Sequence, residues 1–189
     1  MKKIAKILIS SATIAVLLIT NVCAQSKKLG IGLNFGLPST EGHYDFVFGV
    51  DLRLQFNVTQ QLSIPFTVGY TNYFSENLDY VPFPDSNVSI NHNYAFIPVK
   101  AGLKYFIDES GTGFYGLAEA GVAFGLNKNS QIGFLYSPSI GYSFNNGLDF
   151  SLKYEGVLNG QKEVGVIQGF DNTKSNGQVA LRIAYGFKL

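Results

Sequence analysis

Few residues in this 189-residue chain could carry chemistry, and they lie far apart. His43 and His92 are its two histidines, and Asp85-Ser86 lies between them. A His, a Ser and an acid are the parts of an acyl-transfer site, where imidazole takes the hydroxyl proton and the carboxylate orients the ring. The spacing argues for something plainer, because polar stretches are rich in Asp and Ser anyway and no His-x-Ser occurs. Gly30-x-Gly32-x-x-x-Gly36 echoes a dinucleotide-binding turn, which must follow a strand and open a helix. Here the glycines alternate with large apolar residues, and Pro38 follows. Asn57-Val58-Thr59 and Asn87-Val88-Ser89 match a glycosylation acceptor that arises often by chance. The more informative set is Asp51, Arg53, Lys100, Lys104, Glu119, Asp149, Lys153, Glu155 and Arg182, each at an alternate position of an otherwise apolar stretch. Mixed charges so placed suit an enclosed interior, where each needs a partner. No catalytic residue, cofactor or metal site is expected.

The elements that must hold these charges repeat one pattern. In the last stretch Val179, Leu181, Ile183, Tyr185, Phe187 and Leu189 alternate with Gln178, Ala180, Arg182, Ala184, Gly186 and Lys188, a period of two and hence a strand with two unlike faces. Seven earlier stretches alternate likewise, near 29–37, 46–56, 62–71, 97–105, 114–126, 132–144 and 148–155. Pro65 and Pro98 sit within two of them and predict a bulge or a local break, since proline cannot donate to a ladder. The connections after the second, fourth and sixth strands are short, and Asn145-Asn146-Gly147 is a tight hairpin signal. Those after the third and seventh, about 72–93 and 157–176, are long. Eight strands of spanning length with short turns on one side and longer loops on the other predict an antiparallel up-and-down transmembrane β-barrel.

Residues 1–24 are read as a cleaved signal peptide. Lys2, Lys3 and Lys6 precede an apolar run, and Val22-Cys23-Ala24 ends it. Residues 25–189 then form one barrel domain. The single Cys leaves with the leader, so neither a disulfide nor a thiolate metal site is expected. Losing three of 14 basic residues leaves the 13 acids in slight excess, which gives no reason to expect nucleic acid.

A soluble, lipocalin-like binding barrel would also alternate, with its apolar face inward. Side-chain size decides between the two. The polar rows hold Gly30, Gly32, Gly36, Gly49, Gly69, Gly102, Gly121, Gly133 and Gly141 with several serines. A solvent-facing sheet gains nothing from such stripping, whereas the narrow interior of eight strands requires it. The large apolar rows are therefore expected to face lipid, with aromatics near strand ends such as Phe46, Phe56, Tyr70, Tyr105, Phe114, Phe144, Tyr154 and Phe187 forming girdles. Glu119 is expected opposite Lys100 or Lys104, and Arg182 on the strand that neighbours the one carrying Lys153 and Glu155. The final strand is expected to pair with the first, because a spanning sheet cannot leave an edge unpaired.

The stretch Phe96-Ile97-Pro98-Val99-Lys100-Ala101-Gly102-Leu103-Lys104-Tyr105, with Leu152-Lys153-Tyr154 and Ala184-Tyr185-Gly186-Phe187, resembles the small eight-stranded outer-membrane barrels. These are the OmpA-like and OmpX-like, porin-like proteins of the Gram-negative cell envelope. It resembles still more the outer-membrane β-barrel domain proteins of Bacteroidota. The resemblance implies a monomer in the outer membrane with both termini periplasmic. The implied partners are membrane lipid and lipopolysaccharide, and the assembly machinery that reads the last strand, here ending in Leu189 with Phe187 two before it. An extracellular partner could meet the long loops through Tyr80, Phe83, Val164, Val166, Ile167 and Phe170. It also implies a non-enzymatic structural or surface-interaction role with a filled lumen rather than an open pore. Some barrels of this size modify lipid A as acyltransferases or deacylases, using a loop His with an Asp-Ser pair. His43 with Asp85-Ser86 is the corresponding alternative.

Overall fold

The computed structural model describes residues 27–39, 44–75, 93–126, 132–161 and 174–189. They form eight strands: β1 Lys27–Pro38, β2 Phe46–Asn57, β3 Leu62–Phe74, β4 Tyr94–Phe106, β5 Gly113–Gly125, β6 Ile132–Ser143, β7 Leu148–Gln161 and β8 Lys174–Lys188. Each pairs antiparallel with the next, and β8 returns to β1, with Leu33 opposite Ile183 and Leu29 opposite Phe187. The sheet is closed, so no strand edge is left along its length. The expected eight-stranded transmembrane β-barrel is the fold observed.

Alternation does the sorting. Ile31, Leu33, Leu52, Phe66, Val99, Leu103, Ile140, Leu152 and Leu181 point outward and are exposed, while the nine charged residues point inward and are buried. Outward aromatics meet near both ends. Phe114 and Tyr142 lie 4.9 Å apart at the end with the short turns, and Phe46 and Phe74 stack at 4.6 Å at the other.

The chain's two described ends, Lys27 and Leu189, share one end of the barrel with the short turns, and Leu189 donates to the Lys27 carbonyl at 2.9 Å. One of those turns shows why Asn145-Asn146-Gly147 was informative. Gly147 has φ +96, a left-handed conformation that side chains disfavour, and Asn146 accepts from the Leu148 amide at 3.1 Å.

Two expectations need correction, and a third is met in one of its two forms. The strands run further toward the loop end than expected: β3 includes Asn72, Tyr73 and Phe74, β4 begins at Tyr94, and β7 continues past Val157. The inward parity carries on through large apolar residues there, so the loss of small side chains does not mark the strand ends. Of the bulge or local break expected at the prolines, the structure shows the break: the β3–β4 ladder is interrupted there without a bulge. Pairing skips Pro65 and later Gly69, yet Leu62 opposite Tyr105 and Tyr73 opposite Tyr94 belong to one continuous register. That register sets Pro65 against Gly102 and Pro98 against Gly69, so each ring faces a residue with no side chain. Finally, Glu119 lies opposite Gly102, between the two lysines rather than across from either.

Residues 1–24, His43, His92, Asp85-Ser86, Asn87-Val88-Ser89, Tyr80, Phe83, Val164, Val166, Ile167 and Phe170 lie outside the described residues.

Candidate functional site

The lumen is where the described chemistry collects, and it divides into two ion clusters under an aromatic plug. The first cluster centres on Asp51 of β2. Asn34 of β1 donates to its Oδ2 at 2.7 Å. Arg182 of β8 grips it twice, Nη2 to Oδ1 at 2.6 Å and Nε to Oδ2 at 2.9 Å. The Arg182 Nη1 then lies 3.6 Å from Asp149, which also takes Lys104 Nζ at 2.9 Å and the Tyr115 hydroxyl at 2.7 Å. The Lys104 ammonium sits 3.7 Å from the Tyr115 ring centroid, a cation–π contact between two buried side chains. Two cations meet two carboxylates.

The second cluster is built on Glu119 of β5 and Glu155 of β7. Arg53 Nη2 donates to Glu119 Oε2 at 3.1 Å, and Thr67 joins the pair, accepting from Arg53 Nε at 3.1 Å and donating to Glu119 Oε1 at 2.6 Å. Lys100 lies 3.7 Å from Glu119 and donates to Glu155 at 2.5 Å. Lys153 and Gln178 complete Glu155 at 3.2 Å and 2.9 Å. Here three cations meet two carboxylates, and Arg53 Nη1 has no partner among the described residues.

All nine predicted charges therefore face one interior, and every one makes an ion pair. Arg182 lies, as expected, on the strand next to the one that carries Lys153 and Glu155. It sits opposite Ser151 on that side and reaches Asp51, two strands away on the β1 side. Sequence reasoning missed the neutral members Asn34, Thr67, Gln178 and Tyr115. Their inward parity was visible, but an uncharged side chain gives no sign of which carboxylate it serves.

Sequence reasoning also missed the plug. Val47, Tyr73, Tyr94, Phe96, Ala123, Leu135 and Val157 form a buried apolar cluster across the loop end of the lumen, with Tyr44 against it. Tyr73 and Phe96 have centroids 6.1 Å apart, and Tyr94 and Phe96 5.6 Å. The opposite end is open. A cavity of about 960 Å³ enters between the short turns and reaches Arg53, Lys104, Asp149 and Arg182.

Such an arrangement holds charge, blocks one mouth and admits solvent at the other. It offers no assembled nucleophile and base, and no group of three His, Cys, Asp or Glu able to hold a metal occurs among the described residues.

No family model matches the chain, and no curated protein matches it. Solved structures do. The crystal structure of Ail, the attachment invasion locus protein of Yersinia pestis, superposes with a TM-score of 0.54 at 13% identity, covering 86% of this chain and 99% of that one. The same outer-membrane protein in a phospholipid bilayer nanodisc gives 0.54 at 15% identity, covering 86% and 99%. The N-terminal β-barrel domain of Pseudomonas aeruginosa OprF gives 0.53 at 13% identity, covering 86% and 100%. At these identities the likeness is one of fold.

Proposed function

We propose that this chain is a non-enzymatic integral outer-membrane barrel whose role is structural or surface-interacting. Its termini and short turns face the periplasm and its long loops face outward. The carrying observation is the inversion of the two sheet faces. Exposed Leu, Ile, Val and Phe form the outer belt, while paired charges fill the inside. Water would reward the opposite arrangement, and lipid rewards this one. The short turns at one end and longer connections at the other support the orientation. The likeness to Ail, an attachment protein by name, supports a role in surface contact through the loops.

The plug and the two ion clusters support a closed lumen. An ion crossing it would have to displace Phe96 and Tyr73 and then pass Glu155 with its three partners. Bound lipopolysaccharide outside, the assembly machinery at the last strand and a monomeric state complete the proposal.

Membrane fractionation with unboiled gel electrophoresis tests the reading. A heat-modifiable band in the outer membrane is expected, with protease cutting the long loops on intact cells. A soluble periplasmic band would overturn it. Lipid A acylation unchanged between cells with and without the chain is expected, and a change would favour the enzyme reading.

A further inference from the structure

Three prolines lie inside strands, away from their ends: Pro65 in β3, Pro98 in β4 and Pro138 in β6. Each keeps its pairing with one neighbouring strand, at Gln55, Ala123 and Ala118 respectively. The amide that each proline lacks would therefore have faced its other neighbour. For Pro65 and Pro98 that is the same seam, β3–β4. Pairing there stops after Ser63–Lys104, resumes at Phe66–Ala101, and stops again between Val68–Val99 and Thr71–Phe96. For Pro138 it is β6–β7, where pairing jumps from Tyr136–Gly156 to Ser139–Lys153. Among the described residues the β1–β2, β1–β8, β2–β3, β4–β5 and β5–β6 seams have no gap. The β7–β8 seam is irregular only past Val157, near its loop end. The lost donors thus divide the closed sheet into two unbroken parts, β4–β6 and β7–β8–β1–β2–β3.

The bonds across the lumen cross that same boundary. Glu119 of β5 takes Arg53 of β2 at 3.1 Å and the Thr67 hydroxyl of β3 at 2.6 Å. Lys104 of β4 and Tyr115 of β5 donate to Asp149 of β7 at 2.9 and 2.7 Å. Lys100 of β4 donates to Glu155 of β7. Every charged side chain on β4–β6 is therefore bonded to the other part. The plug is divided likewise, with Tyr94 and Phe96 on β4 packed against Tyr73 on β3.

We propose that β4–β6 is a hinged panel, flexing along its two proline-thinned seams and latched from inside by its bonds to Arg53, Thr67, Asp149 and Glu155. A seam short of ladder bonds resists bending and parting less than its neighbours, since the missing donors leave fewer bonds to break. Leaning the panel outward draws Phe96 away from Tyr73 and widens the lumen. The closed lumen is then the latched one of two positions. This goes beyond the proposed surface role, because it rests on register and lumen bonds and holds whatever the loops contact.

The test is backbone hydrogen exchange of the full chain, folded in uncharged maltoside micelles and followed amide by amide by NMR. The Thr67 and Lys100 amides sit between the two gaps of β3–β4, and those of Ile140 and Gly156 flank the gap of β6–β7. All four should share one protection factor, roughly tenfold or more below that of amides at the same depth in β4–β5, β5–β6 and β1–β8. Glu119→Gln loosens the latch and should lower protection in both seams together, by a further factor of roughly ten, while amides inside the panel stay protected. Pro65→Ala with Pro98→Ala returns the two donors and should raise β3–β4 to the protection of its neighbours. That variant decides the matter even where Glu119→Gln does not fold. Uniform protection around the barrel would overturn the proposal, as would a fast β3–β4 seam beside a fully protected β6–β7. Glu119→Gln speeding every strand alike, or no slowing in the double proline variant, would overturn it too.

Discussion

The Arg182 guanidinium reaches the Asp51 carboxylate from a strand that is not its neighbour, passing across β1 to make bonds of 2.6 and 2.9 Å. It can do so because Gly32 lies beneath it. A Cβ on Gly32 would stand 2.7 Å from Arg182 Nη2 and 2.8 Å from Cζ. Gly32 also lies directly opposite Asp51 on one side and Ala184 on the other. The glycine is thus a channel for an arginine, and the pair ties three strands across the seam where the first and last meet.

Replacing Gly32 with Val should therefore act as if the ion pair itself had been cut. Asp51 and Arg182 are both buried, and separating a buried pair costs about 3–5 kcal/mol. Urea unfolding of the barrel in lipid vesicles, followed by the gel shift of the folded band, should show a loss of this order. Gly30→Val, two residues away with open space, should leave the midpoint nearly unchanged.

The second cluster predicts an asymmetry between its acid and its cations. Glu155→Gln leaves Lys100 and Lys153 facing a neutral amide, and should cost about 3–5 kcal/mol. Lys153→Met removes a cation from a group with three cations and two acids. Glu155 keeps Lys100 at 2.5 Å and Gln178 at 2.9 Å, so this change should be near neutral or stabilising. Equal losses in the two variants would contradict the charge count.

How much of this was readable beforehand follows from what alternation encodes. Parity places Asp51, Glu119 and Arg182 inside with certainty once the small-residue rows are identified, because one wrong step would send every charge into lipid. Parity does not encode the slant of the strands around the barrel. Arg182 and Asp51 meet only because the intervening strand contributes a glycine at the crossing point, a relationship among three strands that no single stretch displays. The plug was hidden for another reason. Tyr73 and Phe96 break the rule that inward residues are small, since near the mouth the lumen is filled by rings rather than ions. Asn72-Tyr73 consequently read as the start of a loop. The alignment of Pro65 against Gly102 depended on a register that only the closed sheet supplies.

The plug can be tested by thinning it. Phe96 is fully buried, and Phe96→Ala should cost about 3–5 kcal/mol by the transfer and cavity terms for a large core side chain. Conductance should remain negligible in planar bilayers, because Lys100 and Glu155 still occlude the next layer. Phe96→Ala combined with Glu155→Gln should open measurable current if the variant folds. Its folding is read from the heat-modifiable band. A current from Phe96→Ala alone would show that the plug is the sole barrier.

The outer belt gives the sharpest separation between lipid and water as the barrel's surroundings. Leu33 lies near the middle of β1, points outward and is 43% exposed, while Ile107 sits in a turn at the rim and is 72% exposed. An arginine at the middle of a lipid-facing strand costs about 2–4 kcal/mol, falling to about 0–1 near the interface. Leu33→Arg should therefore lower the unfolding free energy in vesicles by several times the effect of Ile107→Arg. On a water-facing barrel both positions are exposed surface, where substitutions usually fall within about 0.5 kcal/mol of neutral. Two indistinguishable midpoints would return the apolar rows to solvent and remove the physical basis for membrane insertion. A depth-dependent difference, absent when the same variants are compared after boiling, is the expected result.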